Sequence, residues 1–186
     1  MRVFELSPQD EKFRKRVIRG YDALLKKDSL DLLLIGYDYE FEDLVNTSDG
    51  QIIVVGGRQG LPLGYAVYFP CTKVKHFADS LQGYVTDELR DCQGQEIKGG
   101  SLVSHLRSAG TSIAFIALMQ AFKRGEGLGS MMLDYLKAKS ECALMTYPLD
   151  MQSEVFFRGR GFTDSGLYSG SMPLLVYDLN VLRDAP

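Results

Sequence analysis

The sequence predicts a single α/β domain, and three observations support this prediction. First, the chain has 186 residues, of which 45% are hydrophobic, so it can bury one sizeable core. Second, an apolar segment of strand length, residues 112–120, is followed by a glycine-rich turn and then by a helical segment, residues 131–139. Third, the chain shows no internal repeat, low-complexity tract or interdomain linker.

The first fifty residues predict a strand, a helix and an acidic segment. Residues 3–6 form a strand candidate, and Ser7 is a helix N-cap whose helix continues as far as Lys27. Residues 28–50 contain no lysine or arginine. Within them, aromatic and acidic residues alternate over 37–42, so an extended segment would place rings on one side and carboxylates on the other. A surface segment anchored by its rings explains this pattern as well.

A hairpin and a long connection come next. Residues 51–70 predict two strands, with glycines at the turn between them. In residues 71–111, five apolar residues have the spacing of an amphipathic helix: Val74, Phe77, Leu81, Val85 and Leu89. Leu102, Val103 and Leu106 predict a further helical turn or two. Insertions of this length are usually functional or mobile, so the segment is expected to wall a binding site or to pack against a second subunit in a homodimer.

The rest of the chain alternates strands and helices. The strand at 112–120 and the helix at 131–139 are followed by a strand at 142–147 that ends before Pro148. A late helix is capped by Asp150 or Ser153 and ends at Gly159 and Gly161. Residues 162–163 and 172–179 predict the last two strands, with Gly166 and Gly170 in their hairpin.

Charge and cysteine content exclude several classes of function. The net charge of −3 gives no electrostatic case for binding nucleic acid or an anionic membrane. Cys71, Cys92 and Cys142 are odd in number and form no Cys-x-x-Cys pair, so we expect plain thiols in a reducing compartment, without a disulfide framework or a metal site. The first residues lack the apolar run of a secretory signal, and no segment has the length of a membrane span. The sequence therefore predicts a cytoplasmic protein.

The glycine-rich turn at residues 124–130, Arg-Gly-Glu-Gly-Leu-Gly-Ser, has the geometry of a phosphate site. Glycines let the backbone approach a bulky anion, and the N–H groups of the first helical turn point at it along the positive end of the helix dipole. A P-loop would need a lysine after Gly129, and a dinucleotide fold would need one more residue between the glycines and a longer following chain. A tight turn with no ligand is the remaining alternative.

The same turn resembles the acyl-CoA pyrophosphate loop of GNAT-type N-acetyltransferases, whose pattern is Gln/Arg-x-x-Gly-x-Gly/Ala. The hairpin at 51–70 is similar to the family's hairpin before the CoA strand, and residues 153–162 resemble a late helix ending in Phe-Tyr-Glu-Lys-Leu-Gly-Phe. The resemblance covers residues 50–70 and 112–178. It implies the acyl-CoA N-acyltransferase (GNAT) fold, an α/β architecture with a central mixed, mostly antiparallel twisted sheet flanked by helices. The domain would span residues 1–186, with an insertion at 71–111 between the third and fourth strands.

The resemblance also implies acetyl-CoA as co-substrate and a set of residues that hold it. The main chain at the end of the CoA strand would bind the thioester, the loop would bind the pyrophosphate, and the late helix would line the site. The matching positions are Leu118, Met119, Gln120, Arg124, Gly125, Glu126, Gly127, Leu128, Gly129, Ser130, Ser153 and Phe157.

The acceptor and the proton-transfer groups are also expected from the resemblance. The segment after the first helix borders the acceptor site in the family, which would make Tyr37, Asp38, Tyr39, Glu40 and Glu42 acceptor residues that attract a cationic amine. The chain departs from the family at two places. At Phe157 many members have a tyrosine that acts as the catalytic acid. On the CoA strand many members have a glutamate that acts as the base, whereas residues 112–122 of this chain contain no carboxylate. Tyr147, on the strand next to the CoA strand, is the candidate acid, and Tyr168 is an alternative.

These observations predict an acetyltransferase that acts on a primary amine by direct attack in a ternary complex. The acceptor would be a small cationic amine or a protein lysine or N-terminus. A catalytically silent GNAT-like domain that binds CoA or a protein partner is the alternative. A toxin-type enzyme acting on aminoacyl-tRNA is a third possibility, which the negative net charge and the absence of the late-helix tyrosine disfavour.

Overall fold

The computed structural model describes residues 1–6, 50–56, 62–81, 88–110, 112–122 and 125–177, together with residues 33–35 and residues 11, 12, 14–16, 18 and 19. The residues described between 11 and 19 are helical, as the sequence predicts. In chain order the other elements are β1 (Arg2–Leu6), β2 (Leu33–Ile35), β3 (Gln51–Gly56), β4 (Pro62–Phe69), α1 (Val74–Leu81), β5 (Glu88–Asp91), β6 (Glu96–Ser101), α2 (Leu102–Ser108), β7 (Ile113–Ala121), α3 (Leu128–Lys139), β8 (Ala143–Thr146), α4 (Met151–Arg158), β9 (Thr163–Ser169) and β10 (Met172–Tyr177).

The strands of the described residues form one sheet in the order β1-β3-β4-β7-β8-β10-β9-β5-β6, with β2 beside β7. The β7–β8 pair is parallel, and the other pairs are antiparallel. The predicted mixed, mostly antiparallel sheet is therefore confirmed. Strand β7 is buried along almost its whole length, which explains why its sequence is nearly all apolar.

Helices cover both faces of the sheet. On one face, α1 and α2 pack on a core in which the Phe77 ring stacks on Phe69 at 3.6 Å and on Phe115 at 5.6 Å between ring centroids. On the other face, α3 buries Met132, Leu133 and Leu136, the residues that its sequence pattern places toward the core. The α4 side chains of Ser153 and Phe157 are buried as well.

The segment at 71–111 differs from the prediction in its second quarter. The helix that the apolar spacing predicts ends at Leu81, and Leu89 is a buried residue of the strand β5. Val85 lies outside the described residues. Strand β5 pairs with β9 on one side and with β6 on the other, so this segment extends the sheet beyond β9. The predicted helical turns at 102–106 are confirmed as α2.

Other boundaries move by only a few residues. Helix α3 begins at Leu128, three residues earlier than the periodicity alone indicates, and α4 is capped by Asp150 rather than Ser153. Gly166 lies inside β9 with φ +81°, and Gly170 lies in the turn to β10 with φ +60°. Among the described residues, no helix is long and apolar enough to cross a membrane.

The expectation that all three cysteines are plain thiols is wrong. Cys71 and Cys142 form a disulfide across a sequence separation of 71 residues, and Cys92 is free and exposed. The pairing arises because β4 and β8 both lie next to β7. Cys71 follows the end of β4 and Cys142 precedes β8, which brings the two residues to the same end of the sheet.

Candidate functional site

Strand β7 has two different edges. Along one edge β4 pairs from Phe115 to Ala121, and a bulge at Ala117 interrupts the ladder because Val67 faces Leu118 while Tyr68 faces Ile116. Along the other edge β8 pairs only from Ile113 to Ile116 and ends at Thr146. Strands β7 and β8 therefore diverge beyond Ile116. This divergence begins next to the bulge, on the side of β7 that leads into the glycine-rich loop.

The short strand β2 pairs with β7 beyond this divergence. Its register places Leu33 opposite Gln120 and Ile35 opposite Met119. Met119 and Gln120 are two of the three main-chain positions that the sequence assigns to the thioester of the donor. In this structure their backbone is paired with β2 on one edge and with β4 on the other.

The glycine-rich loop has the backbone conformation that its sequence predicts. Gly125 and Gly127 have φ values of +80° and +71°, in the left-handed region that favours glycine, and a Cβ added at either position would meet no atom within 4 Å. Gly127 is the N-cap of α3 and supplies no side-chain oxygen to it. The first helical bond is donated by Met131 N to Gly127 O at 2.9 Å, so the amides of Leu128, Gly129 and Ser130 precede the helical ladder.

A cation that sequence reasoning missed lies at this helix terminus. Arg160, in the turn after α4, donates from Nε and Nη2 to Ser130 Oγ at 3.1 and 2.5 Å, and its guanidinium lies 5.3 Å from the Phe156 ring centroid. The two partners are 30 residues apart, and no local pattern links them. Arg124, which the sequence assigns to the pyrophosphate, lies outside the described residues. Arg160 therefore provides positive charge beside the first turn of α3 in the described part of the chain.

Lys137 adds a second cation behind Arg160. Its Nζ donates to the main-chain oxygen of Arg160 and lies 4.0 Å from the Tyr177 ring centroid. Burial lowers the pKa of Lys137 from its ordinary value, Asp134 opposes this effect, and the charge of Arg160 adds to it. Both the hydrogen bond and the ring contact fix the ammonium group against the turn that holds Arg160.

The late helix begins with a complete capping box. Ser153 N donates to Asp150 Oδ1 at 2.7 Å, and Asp150 N donates to Ser153 Oγ at 2.9 Å. Ser153 is fully buried, as is Phe157, whose ring centroid lies 5.2 Å from that of Phe162. Both residues were assigned to the cofactor from the sequence, and in this structure they fix α4 against the sheet. The position of the family's tyrosine thus has neither a hydroxyl nor access to solvent.

Hydroxyl groups do lie at the end of β7. Tyr65 donates from its hydroxyl to Gln120 Oε1, both residues are buried, and the Phe122 ring packs edge-on against Tyr65 at 5.5 Å. Tyr65 was not predicted as a site residue, because its place beside Gln120 depends on the register between β4 and β7. Tyr147 is half-buried and follows β8 at the point where the strands diverge, packed on the face that carries α1 and α2.

One predicted residue, Tyr168, is not brought to this point. Tyr168 lies on β9, two strands beyond β8, and donates to Asp164 Oδ2 at 2.6 Å, which raises the pKa of its phenol. The five acceptor candidates, Tyr37, Asp38, Tyr39, Glu40 and Glu42, lie outside the described residues. The structure therefore brings Arg160 to the first turn of α3, and it places Tyr147 after β8, where β7 and β8 diverge.

Comparison with known proteins identifies the architecture. No protein-family model and no curated protein matches this chain by sequence. A GNAT-family acetyltransferase from Staphylococcus aureus matches in structure with a TM-score of 0.53 and 11% identity, covering 95% of this chain and 98% of that one. A GCN5-related N-acetyltransferase from Kribbella flavida matches with a TM-score of 0.51 and 12% identity, covering 94% and 95%. At such identities the likeness shows the fold, which is the acyl-CoA N-acyltransferase (GNAT) fold that the loop and late helix predict.

Proposed function

With this fold as the premise, we propose that the protein is an acyltransferase that moves the acetyl group of acetyl-CoA to a primary amine, by direct attack in a ternary complex. One observation supports this function most strongly. The divergence of β7 from β8 lies immediately before a loop with two left-handed glycines that starts α3. An extended thiol ester that carries a pyrophosphate fits such a site, because its chain can replace β2 on the edge of β7 beyond Ile116 while its phosphates meet the helix terminus.

The donor would be held by main-chain groups for the most part. The amides of Leu128, Gly129 and Ser130 form the positive end of α3, and the absence of side chains at Gly125 and Gly127 leaves room for phosphate oxygens. Arg124 would add a charge-assisted hydrogen bond. The pantetheine chain would take the edge of β7 at residues 118–120, so β2 has to give up its pairing with Met119 and Gln120 when the donor binds.

The chemical step would depend on positioning and on a fixed oxyanion donor. A neutral amine attacks the thioester carbonyl, and a main-chain N–H of residues 118–120 donates to the oxyanion of the tetrahedral intermediate. The nitrogen of the intermediate then loses a proton to solvent, and the intermediate collapses and expels the CoA thiolate, which is a tolerable leaving group because thiols have a pKa of about 8.5. Tyr147 would supply the proton for that thiolate, since it follows β8 where the strands diverge.

The acceptor would be a cation before it loses its proton. The alternation of rings and carboxylates at residues 37–42 suits a small cationic amine or a protein lysine or N-terminus, through charge attraction and cation–π contact. We also propose a cytoplasmic location, because acetyl-CoA is an intracellular metabolite. A homodimer through the segment at 71–111 remains part of this proposal, and its test is the mass of the protein in solution.

A second function, binding without turnover, is favoured by one observation. Phe157 fills the position of the usual tyrosine acid and is completely buried. A domain of this kind would bind CoA or a protein partner and release no thiol.

Two matched glycine substitutions, Gly127→Ala and Gly94→Ala, distinguish a donor-binding loop from a turn that binds no ligand. In the donor-free protein, Gly127→Ala and Gly94→Ala should destabilise the fold to a similar degree, since both glycines have positive φ and open space around them. Gly94 lies in the turn between β5 and β6, away from the loop. Isothermal titration with acetyl-CoA should then show a loss of roughly tenfold or more in affinity for Gly127→Ala alone. The added Cβ would occupy the space of a phosphate oxygen and separate that oxygen from the amides, and a hydrogen bond to a charged group contributes about 1.5–3 kcal/mol. Equal affinities for the two variants would contradict the donor site.

A turnover assay distinguishes an active acetyltransferase from a domain that binds CoA without catalysis. Release of free thiol from acetyl-CoA is measured across a panel of polyamines, aminoglycosides and lysine peptides. The enzyme predicts amine-dependent release, which Tyr147→Phe should slow without weakening donor binding. Donor binding without release for any amine, including proteins from a cell extract, would support the binder.

A further inference from the structure

The Cys71–Cys142 disulfide lies at the end of the sheet opposite the glycine-rich loop. It joins the residue that follows Pro70, just after β4, to the residue that precedes β8. The two Cα atoms are 6.7 Å apart, within the range of about 4.4–6.8 Å for protein disulfides. Because β4 and β8 lie on either side of the first residues of β7, the bond links the two strands that flank β7 at this end of the sheet.

A cavity of about 260 Å³ has both cysteines in its lining. Thr72 and Glu141, which also line it, are exposed, and both cysteines are half-buried. The cavity thus leads from solvent to the disulfide. The pairing between β7 and β8 begins directly beneath it, where Ile113 faces Ala143.

Ser140 is placed to assist cleavage of the bond. Its hydroxyl donates to the main-chain oxygen of Cys142 at 2.9 Å and lies 3.5 Å from Cys142 Sγ. By rotation, the same hydroxyl can donate to a thiolate on Cys142. This stabilises Cys142 as the leaving sulfur when a nucleophile attacks Cys71, because a hydrogen bond to the charged form favours it.

We propose that Cys71–Cys142 is a reversible redox site, opened and closed by small thiols of the glutathione class that enter through this cavity. In the opening direction, a small thiolate attacks Cys71 Sγ, the sulfur–sulfur bond breaks, and Cys142 leaves as a thiolate that takes up a proton. A second small thiolate attacks the mixed disulfide, releases Cys71 as a thiol and departs as the oxidised small disulfide. The small thiols supply both electrons. Closing reverses these steps, with the small disulfide as oxidant.

Opening the bond has a structural consequence for the central strands. Four residue pairs, from Ile113 opposite Ala143 to Ile116 opposite Thr146, hold β8 to β7 between the disulfide and the divergence. Reduction removes the covalent link at the start of this short ladder. The amides of residues 143–146 are therefore expected to exchange with solvent faster in the reduced protein.

The test uses the folded protein in glutathione buffers of graded redox ratio, trapped with iodoacetamide and mapped by mass spectrometry. Cys92 is the internal control, since it is exposed and free: it should be alkylated in reduced glutathione and carry bound glutathione in oxidised glutathione, whereas an intramolecular bond adds neither mass. The proposal expects Cys71 and Cys142 to be protected together in oxidised glutathione and alkylated together in reduced glutathione, without denaturant. A pair that opens only in denaturant, or two thiols that never pair in excess oxidised glutathione, would overturn it.

A second measurement tests the route of entry. Thr72→Trp should narrow the cavity and slow reduction by glutathione several-fold, whereas Gln93→Trp, in an exposed turn beside Cys92, should not. Glu141→Gln removes a negative charge from the lining and should speed reduction by anionic glutathione but not by neutral 2-mercaptoethanol. Reduction rates that are unchanged by both Thr72→Trp and Glu141→Gln would exclude the cavity as the path.

Discussion

Breaking the Cys71–Cys142 bond is expected to lower the free energy of unfolding by about 4 kcal/mol. The bond closes a loop over a sequence separation of 71 residues. Cross-linking at that separation removes about 15 cal/mol/K of conformational entropy from the unfolded chain, which corresponds to about 4 kcal/mol at 25 °C. The magnitude is an upper value, because residual structure in the unfolded chain already removes part of this entropy.

The assay is urea unfolding, followed by circular dichroism, of three forms of the protein. These are the oxidised protein, the protein reduced with a phosphine, and the double variant Cys71→Ser with Cys142→Ser. The two forms without the bond should agree with each other and unfold at lower urea, and their melting temperatures should fall by roughly 8–16 °C. Cys92→Ser is the matched control and should leave the unfolding curve of the oxidised protein unchanged.

Either of two results would refute this reasoning. A loss below about 1 kcal/mol would show that the unfolded chain gains little freedom when the loop opens. A large loss in the double variant, without one in the reduced protein, would assign the effect to the serine substitutions rather than to the bond.

Three further substitutions test packing and burial in the fold. Gly64→Ala places a Cβ 2.8 Å from the main-chain oxygen of Gln120, so urea unfolding should show a loss of roughly 1–3 kcal/mol, and an unchanged midpoint would contradict the close β4–β7 contact. Phe157→Tyr puts a hydroxyl into a fully buried apolar position, which should cost about 1–3 kcal/mol without faster thiol release; a faster rate at unchanged stability would refute the burial of this position. Burial lowers the pKa of His105 from 6.5, so His105 takes up a proton at higher pH in the unfolded chain than in the folded one. The free energy of unfolding should therefore fall as pH drops from 7 through the lowered pKa, by at most about 1.4 kcal/mol per pH unit for this one group. His105→Gln should flatten that part of the stability–pH curve, and an equally steep curve in the variant would assign the slope to other groups.

Local patterns in the sequence were sufficient for the elements that make up the central layer. The apolar run that forms β7, the glycines before α3 and the spacing of Met132, Leu133 and Leu136 each specify a local conformation and a buried face. These signals depend on neighbouring residues only. The resemblance of the loop and late helix then supplied the arrangement of the strands, which periodicity cannot give.

Features that depend on distant partners were not predicted. Leu89 has helical spacing from Leu81 and Val85, but it forms a strand because β9 offers a free edge, with Ser169 as its partner. A period of about four residues indicates a helix only when no such edge competes for the segment. The Cys71–Cys142 pair depends on strand order, since only the placement of β7 between β4 and β8 brings the two residues together.

The candidate site shows the same division. The loop conformation at Gly125 and Gly127 follows from the residues themselves, whereas Arg160 reaches Ser130 only because α4 ends beside the first turn of α3. The pairing of β2 with Met119 and Gln120 likewise has no local signature.

Hydrogen exchange with and without saturating acetyl-CoA tests the central claim most directly. The claim is that the first turn of α3 binds the pyrophosphate of acetyl-CoA, while the rest of the donor displaces β2 from the edge of β7. The account predicts slower exchange at residues 128–130 and 118–120, and faster exchange at residues 33–35, when acetyl-CoA is added. Unchanged exchange at residues 128–130 in saturating acetyl-CoA would contradict it.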